Sequence, residues 1–167
     1  MTTDTAPEKR LAEAVALREA GEDARALQVL LELEASSPDD AQVNLHCAWI
    51  HDKLGREEEA VPFYEKAISL GLRDEDLANA LLGLGSTYRA LGRYEEALET
   101  LSRGTETFPH HLGLRVFRAL ALYNEGRAKE ACETLLSLLV ATTEDDTIRA
   151  YTGALSEYSQ DLDRIWP

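Results

Sequence analysis

Apolar residues recur three and four apart along most of this chain, with charged and polar residues between them. That spacing lays one apolar stripe along an α-helix and predicts an all-α protein with no strand. The expected helices cover 7–20, 23–36, 40–54, 57–70, 76–91, 94–107, 111–125 and 128–142. A ninth, over 145–163, carries Ile148, Tyr151, Leu155, Tyr158 and Leu162 on one face, with a polar face opposite.

The helices repeat. Gly21, Gly55, Gly92 and Gly126 stand at their ends, separated by 34, 37 and 34 residues. Ala26, Ala60, Ala97 and Ala131 each follow five residues later, and Ala14, Ala48, Gly85 and Ala119 each precede by seven. Gly153 extends the last series once more. Glycine closes a helix because it adopts a left-handed backbone without Cβ strain, and small residues let paired helices approach closely. A period near 34 with two amphipathic helices per period marks a helical solenoid, in which each unit buries its apolar face against its neighbours.

The units resemble tetratricopeptide repeats. Ala78 to His111 is the fullest, with Leu84-Gly85, Tyr88, Gly92, Tyr94, Ala97 and a closing Pro109. Residues 7–40 match through Ala14, Leu17, Gly21, Ala26 and Pro38, and residues 41–77 through Ala48, Gly55, Ala60, Tyr64 and Ala67. Residues 112–145 match less fully, since Arg118 replaces an expected Leu and no Pro closes the unit. The second unit has three extra residues, expected in the loop around Gly71-Leu72-Arg73-Asp74. That longer turn and the run after it look like small bacterial repeat proteins. The resemblance implies a right-handed superhelix of four two-helix repeats (7–40, 41–77, 78–111, 112–145) with a capping helix over 145–163, all one domain spanning 1–167.

In this family one face of each first helix lines a concave groove. Here that face holds Leu11, Leu45, Leu82 and Val116, then Val15, Trp49, Ser86 and Leu120, rimmed by Arg18, Asp52, Arg89 and Tyr123. The capping helix adds Ala150, Ala154 and Glu157. An apolar stripe with a polar rim suits an amphipathic helix or extended peptide. The same residues would complete the core if the superhelix closed over its own groove. Trp49, the largest of them, is the expected anchor. Relatives that clamp a C-terminal carboxylate present Lys, Asn and Arg where this chain has Leu11, Val15, Asn79 and Gly83. Acidic C-terminal peptides are therefore not expected to bind.

Charge narrows the partner. The net charge is −14, with −6 in residues 1–40, −4 in 41–77 and −2 in 78–145. Binding to nucleic acid or an anionic membrane needs a concentrated Lys/Arg surface, so neither is expected, and a partner steered by this field is basic. No apolar run approaches the roughly 20 residues of a membrane span, and the first residues lack a signal-peptide pattern, which places the protein in the cytoplasm.

The inventory for chemistry is small. His46 and His51 lie about 140° apart around a helix and do not converge on a metal. Cys47 and Cys132 fall in apolar-patterned helices without CxxC spacing and read as reduced, Cys47 as a buried structural thiol. His110 and His111 read as loop histidines, and Glu57-Glu58-Glu59 opens a helix where carboxylates suit the N-terminal dipole. No phosphate-binding loop or nucleophile motif is present. The expectation is a non-catalytic protein-interaction module without cofactor or metal; the alternative is a protein that self-associates through the groove or the C-terminal helix, where Tyr158, Ile165 and Trp166 lie.

Overall fold

The computed structural model describes residues 6–165. Trp166 lies outside them. All regular structure in the described residues is helical: α1 (Ala6–Glu19), α2 (Asp23–Ser36), α3 (Ala41–Lys53), α4 (Glu57–Ser69), α5 (Asp74–Ala90), α6 (Tyr94–Thr107), α7 (Leu112–Asn124), α8 (Ala128–Thr142), α9 (Asp146–Arg149) and α10 (Thr152–Tyr158).

Within each pair the turn is built the same way. Gly21, Gly55, Gly92 and Gly126 take φ of 68° to 78°. Each following amide then reaches back to a carbonyl five residues earlier, as in Arg93 N to Tyr88 O at 2.9 Å and Arg127 N to Leu122 O at 2.9 Å. These bonds satisfy carbonyls that the helix end leaves open. At two of the three junctions between pairs, a side chain caps the next helix. Asp40 accepts from the amides of Gln42 and Val43, and His111 Nδ1 accepts from Leu114 N at 3.2 Å. His111 is thus a helix cap.

Helices pack α1 on α2, α3 on α4, α5 on α6 and α7 on α8, and each pair docks on the next. The first helices α1, α3, α5 and α7 also touch in sequence, forming one inner layer. Both small-residue series are buried where the pairs meet: Ala14, Ala48, Gly85 and Ala119 on the first helices, Ala26, Ala60, Ala97 and Ala131 on the second. A Cβ on Gly85 would stand 2.4 Å from Leu101 Cγ, so bulk there would drive α5 and α6 apart.

Two expectations need correction. The three extra residues of the second unit do not lengthen its loop, because the connections 37–40, 70–73 and 108–111 have the same length. They add a turn to α5, which has 17 residues against 13 in α3 and α7. Asp74, Glu75 and Asp76 occupy that turn, where carboxylates complement the helix dipole.

The capping helix is also not continuous over 145–163. It breaks after Arg149, where Tyr151 N turns to Ile148 O, and resumes as the short α10 packed on α8. Thr152 and Gly153 are weak helix formers, and among the described residues no further helix packs over this segment to compensate. Gly153, expected to continue the small-residue series, is exposed with open space where a Cβ would stand. Side chains fasten the tail instead: Lys129 on α8 pairs with Asp161 and Asp163, and Leu162 N donates to Glu133 Oε1 at 3.1 Å.

Candidate functional site

The inner layer places the expected groove residues side by side, and their exposure divides them. Leu11, Val15, Trp49, Leu82, Ser86, Arg89, Val116 and Leu120 are half-buried. Tyr123 is 66% exposed. Leu45 departs from the expected partly exposed stripe: it is fully buried in the cluster that joins α3 to α5 through Ala78 and Leu81. It offers no surface to a ligand. On the capping segment, Ala150 and Ala154 are exposed.

Trp49 is held from two sides. The Arg18 guanidinium of α1 lies 5.1 Å from its ring centroid, and the His46 ring meets it edge-on at 5.0 Å and 89°. Arg18 Nη1 is 3.4 Å from His46 Nδ1. Burial first, and the Arg18 charge second, push His46 down to about 4, so it is a neutral imidazole at pH 7 able to accept from Arg18. Lys53 extends this rim, donating to Arg18 O at 3.2 Å and to Asp23 Oδ1 at 2.7 Å. At the other end, Arg89 Nε donates to Asn124 Oδ1 at 2.9 Å and links α5 to α7.

Asp52, read from the sequence as rim, turns inward. It accepts from Tyr64 Oη at 2.7 Å and from Thr87 Oγ1 at 2.8 Å, tying α3, α4 and α5 together. Burial raises its carboxyl, while the two hydroxyl donors oppose that shift. Gly83 makes the contact possible, since a Cβ there would fall 2.4 Å from Tyr64 Oη. The first glycine of the run Leu82-Gly83-Leu84-Gly85, outside the small-residue series, is the sequence signal that could have revealed this clamp.

The remaining polar inventory fits structural roles. Cys47 is fully buried, and burial pushes its thiol up to about 12, which removes nucleophilic character at neutral pH. Cys132, expected within an apolar pattern, is exposed on α8. His51 is buried, stacked on Phe63 at 5.3 Å and 14°, and neither ring nitrogen has a hydrogen-bond partner. No group of three or more metal-ligating side chains occurs among the described residues. No described helix is long and apolar enough to cross a membrane.

Comparison with known proteins agrees with the fold. A profile of the family described as tetratrico peptide repeat matches residues 41–162. No curated protein matches the chain in sequence. Among solved structures, YrrB, described as a TPR protein with an unusual peptide-binding site, is 23% identical with a TM-score of 0.68, covering 92% of this chain and 78% of its own. A MamA RS-1 ArsTM double mutant is 16% identical with a TM-score of 0.75, covering 96% and 88%. An O-GlcNAc transferase of Thermobaculum terrenum is 20% identical with a TM-score of 0.61, but the match covers 73% of this chain and only 23% of the enzyme. The paired helices, the repeated glycine turns and the profile match over most of the chain lead to one assignment: the protein belongs to the tetratricopeptide repeat family.

Proposed function

We propose that the protein is a non-catalytic interaction module that holds a peptide segment or helix of a partner protein along its inner face. The groove is lined by Leu11, Val15, Trp49, Leu82, Ser86, Arg89, Val116, Leu120 and Tyr123. Trp49 carries the reading. It is a large aromatic left half-buried on the inner layer, yet fixed in one orientation by Arg18 and His46. A preoriented aromatic surrounded by polar groups loses little entropy on binding, which is the character of an interface anchor. Peptide binding by YrrB agrees with this use of the fold.

The test is selection of twelve-residue peptides from a displayed library, followed by calorimetry with the wild type and Trp49→Ala. Binders should lose about 2 kcal/mol, or roughly thirtyfold in affinity, with Trp49→Ala at unchanged helical content. Peptides that bind both proteins equally would remove the groove from consideration.

A second reading, self-association, rests on the C-terminal end. Tyr151 is 67% exposed and Ile165 91%, with Leu135, Leu139, Tyr158 and Leu162 also exposed. A solenoid end that leaves apolar side chains uncovered can stack on a second copy. Sedimentation at several concentrations should then show a dimer that Tyr151→Glu abolishes, and a monomer throughout would refute it.

A further inference from the structure

Three equivalent clefts lie between successive second helices, each floored by the first helix between them, and the middle one holds a larger cavity than its α6/α8 sister. Between α4 and α6 a cavity of about 450 Å³ is floored by Leu81, Leu84 and Tyr88 of α5, with Ile68 on its α4 wall. These floor residues sit four before, one before and three after Gly85. Taking 100° per residue, they point about 130° away from the groove-lining stripe, so the cleft is a separate surface on the outer side.

The same offsets in the neighbouring units show how the sister clefts are narrowed. Between α2 and α4, Phe63 occupies the place that Thr100 holds in the middle cleft, and it stacks on His51. There Lys66 also bridges to Glu34 at 3.2 Å, closing the gap from wall to wall. Between α6 and α8, Arg115 and Arg118 replace Leu81 and Leu84, and Arg118 Nε donates to Ser102 Oγ at 3.0 Å. The hollow left there is about 250 Å³. The middle cleft thus combines an aliphatic floor with a small Thr100 where its sister has a phenyl ring.

Its rim sets the partner's charge. Glu65, Glu96 and Glu99 stand against Arg103. Glu96 is paired with Arg93, whose guanidinium lies over the Tyr88 ring at 4.3 Å. Glu65 accepts from the Tyr88 hydroxyl but makes no ion pair, and neither does Glu99, among the described residues. An apolar floor edged by Glu65, Glu96 and Glu99 against Arg93 and Arg103, one carboxylate in excess, on a chain of net charge −14, complements an apolar side chain flanked by cations. We infer that the α4/α6 cleft is a second docking site, which takes an aliphatic or aromatic side chain of a partner segment flanked by lysine or arginine.

Two amphipathic dodecapeptides test this, one of leucine and lysine and one of leucine and glutamate, each titrated into the full chain at about 150 mM salt so that distant charges are screened. The lysine peptide should shift the methyl resonances of Ile68, Leu81 and Leu84 and bind at least tenfold more tightly than the glutamate peptide. Thr100→Phe copies the residue that fills the sister cleft and leaves the charge unchanged. It should lower the affinity at least tenfold, while Trp49→Ala changes it less than twofold. Leu84→Arg, which copies Arg118, carries the same expectation if Thr100→Phe fails to fold by circular dichroism. Equal binding by the cleft-filling variants, equal binding of the two peptides, or no methyl shifts on the cleft floor would each overturn the proposal. Loss of lysine-peptide binding with Trp49→Ala alone would overturn it too and assign the peptide to the inner groove.

Discussion

Replacing His51 with leucine should make this protein more stable. His51 is 6% exposed, and neither ring nitrogen finds a partner. Leaving buried polar groups unpaired costs about 1–3 kcal/mol, which His51→Leu recovers. Loss of the parallel stack on Phe63 gives back about 0.5–1.5 kcal/mol. The net gain is about 1 kcal/mol near pH 8, or a rise of roughly 2–4 °C in Tm for a chain of this size. Leucine fits the position, for Leu17 and Leu122 hold the same place in the first and last units.

The gain should grow with acidity. Burial, then the Arg56 charge, lowers the His51 pKa below its ordinary 6.5, against a smaller opposing effect of Glu59. Below 6.5 the unfolded chain therefore binds a proton that the folded chain refuses, and wild-type stability falls as pH drops. His51→Leu lacks this loss. Chemical denaturation of both proteins at pH 8 and pH 5.5 should show the larger difference at pH 5.5. A variant less stable than wild type, or a difference independent of pH, would refute the argument and mean that the imidazole is hydrogen-bonded in solution.

Other outcomes follow from the same packing. His46→Gln should flatten the fall in stability between pH 6.5 and about 4, the window set by its lowered pKa, in the same denaturation series. Gly83→Ala, which pushes a methyl against Tyr64 and breaks its bond to Asp52, should cost about 2–4 kcal/mol by urea unfolding. Gly153→Ala, in open space within α10, should instead add about 0.5–1 kcal/mol, and a loss there would show that α10 needs the glycine. A thiol-exchange reagent should modify Cys132 quickly and Cys47 only on unfolding; two fast thiols in the native protein would contradict the burial of Cys47.

Local chemistry made much of the fold legible. A left-handed glycine, a buried alanine five residues later and apolar residues three and four apart act within one or two turns of chain. Their repetition therefore announced the helix pairs and the solenoid before any contact was known. The same locality explains the misjudged segments. The three extra residues look like a loop because Gly71 and Asp74 are turn formers, yet Asp74, Glu75 and Asp76 start an additional turn of α5. The pattern over 145–163 is amphipathic, but α9 and α10 bury no residue fully, and at Thr152 and Gly153 the segment has too little burial to stay continuous.

The candidate sites were legible only by face. Leu45 and Trp49 lie four apart on one side of α3, and nothing in their spacing says that the first is sealed while the second is half open. Asp52, one turn on, was read as solvated rim because the sequence does not show that Tyr64 and Thr87 reach it past Gly83. The α4/α6 cleft depends on three helices at once, on Leu81 and Leu84 below and Thr100 rather than Phe63 at the wall. The helices, their turns and the faces that must be covered follow from the residues in order, because they depend on the periodicity and backbone preferences of chain neighbours. Which of those faces stay open follows from the packed molecule, because exposure is set by side-chain volumes summed across helices far apart in the chain.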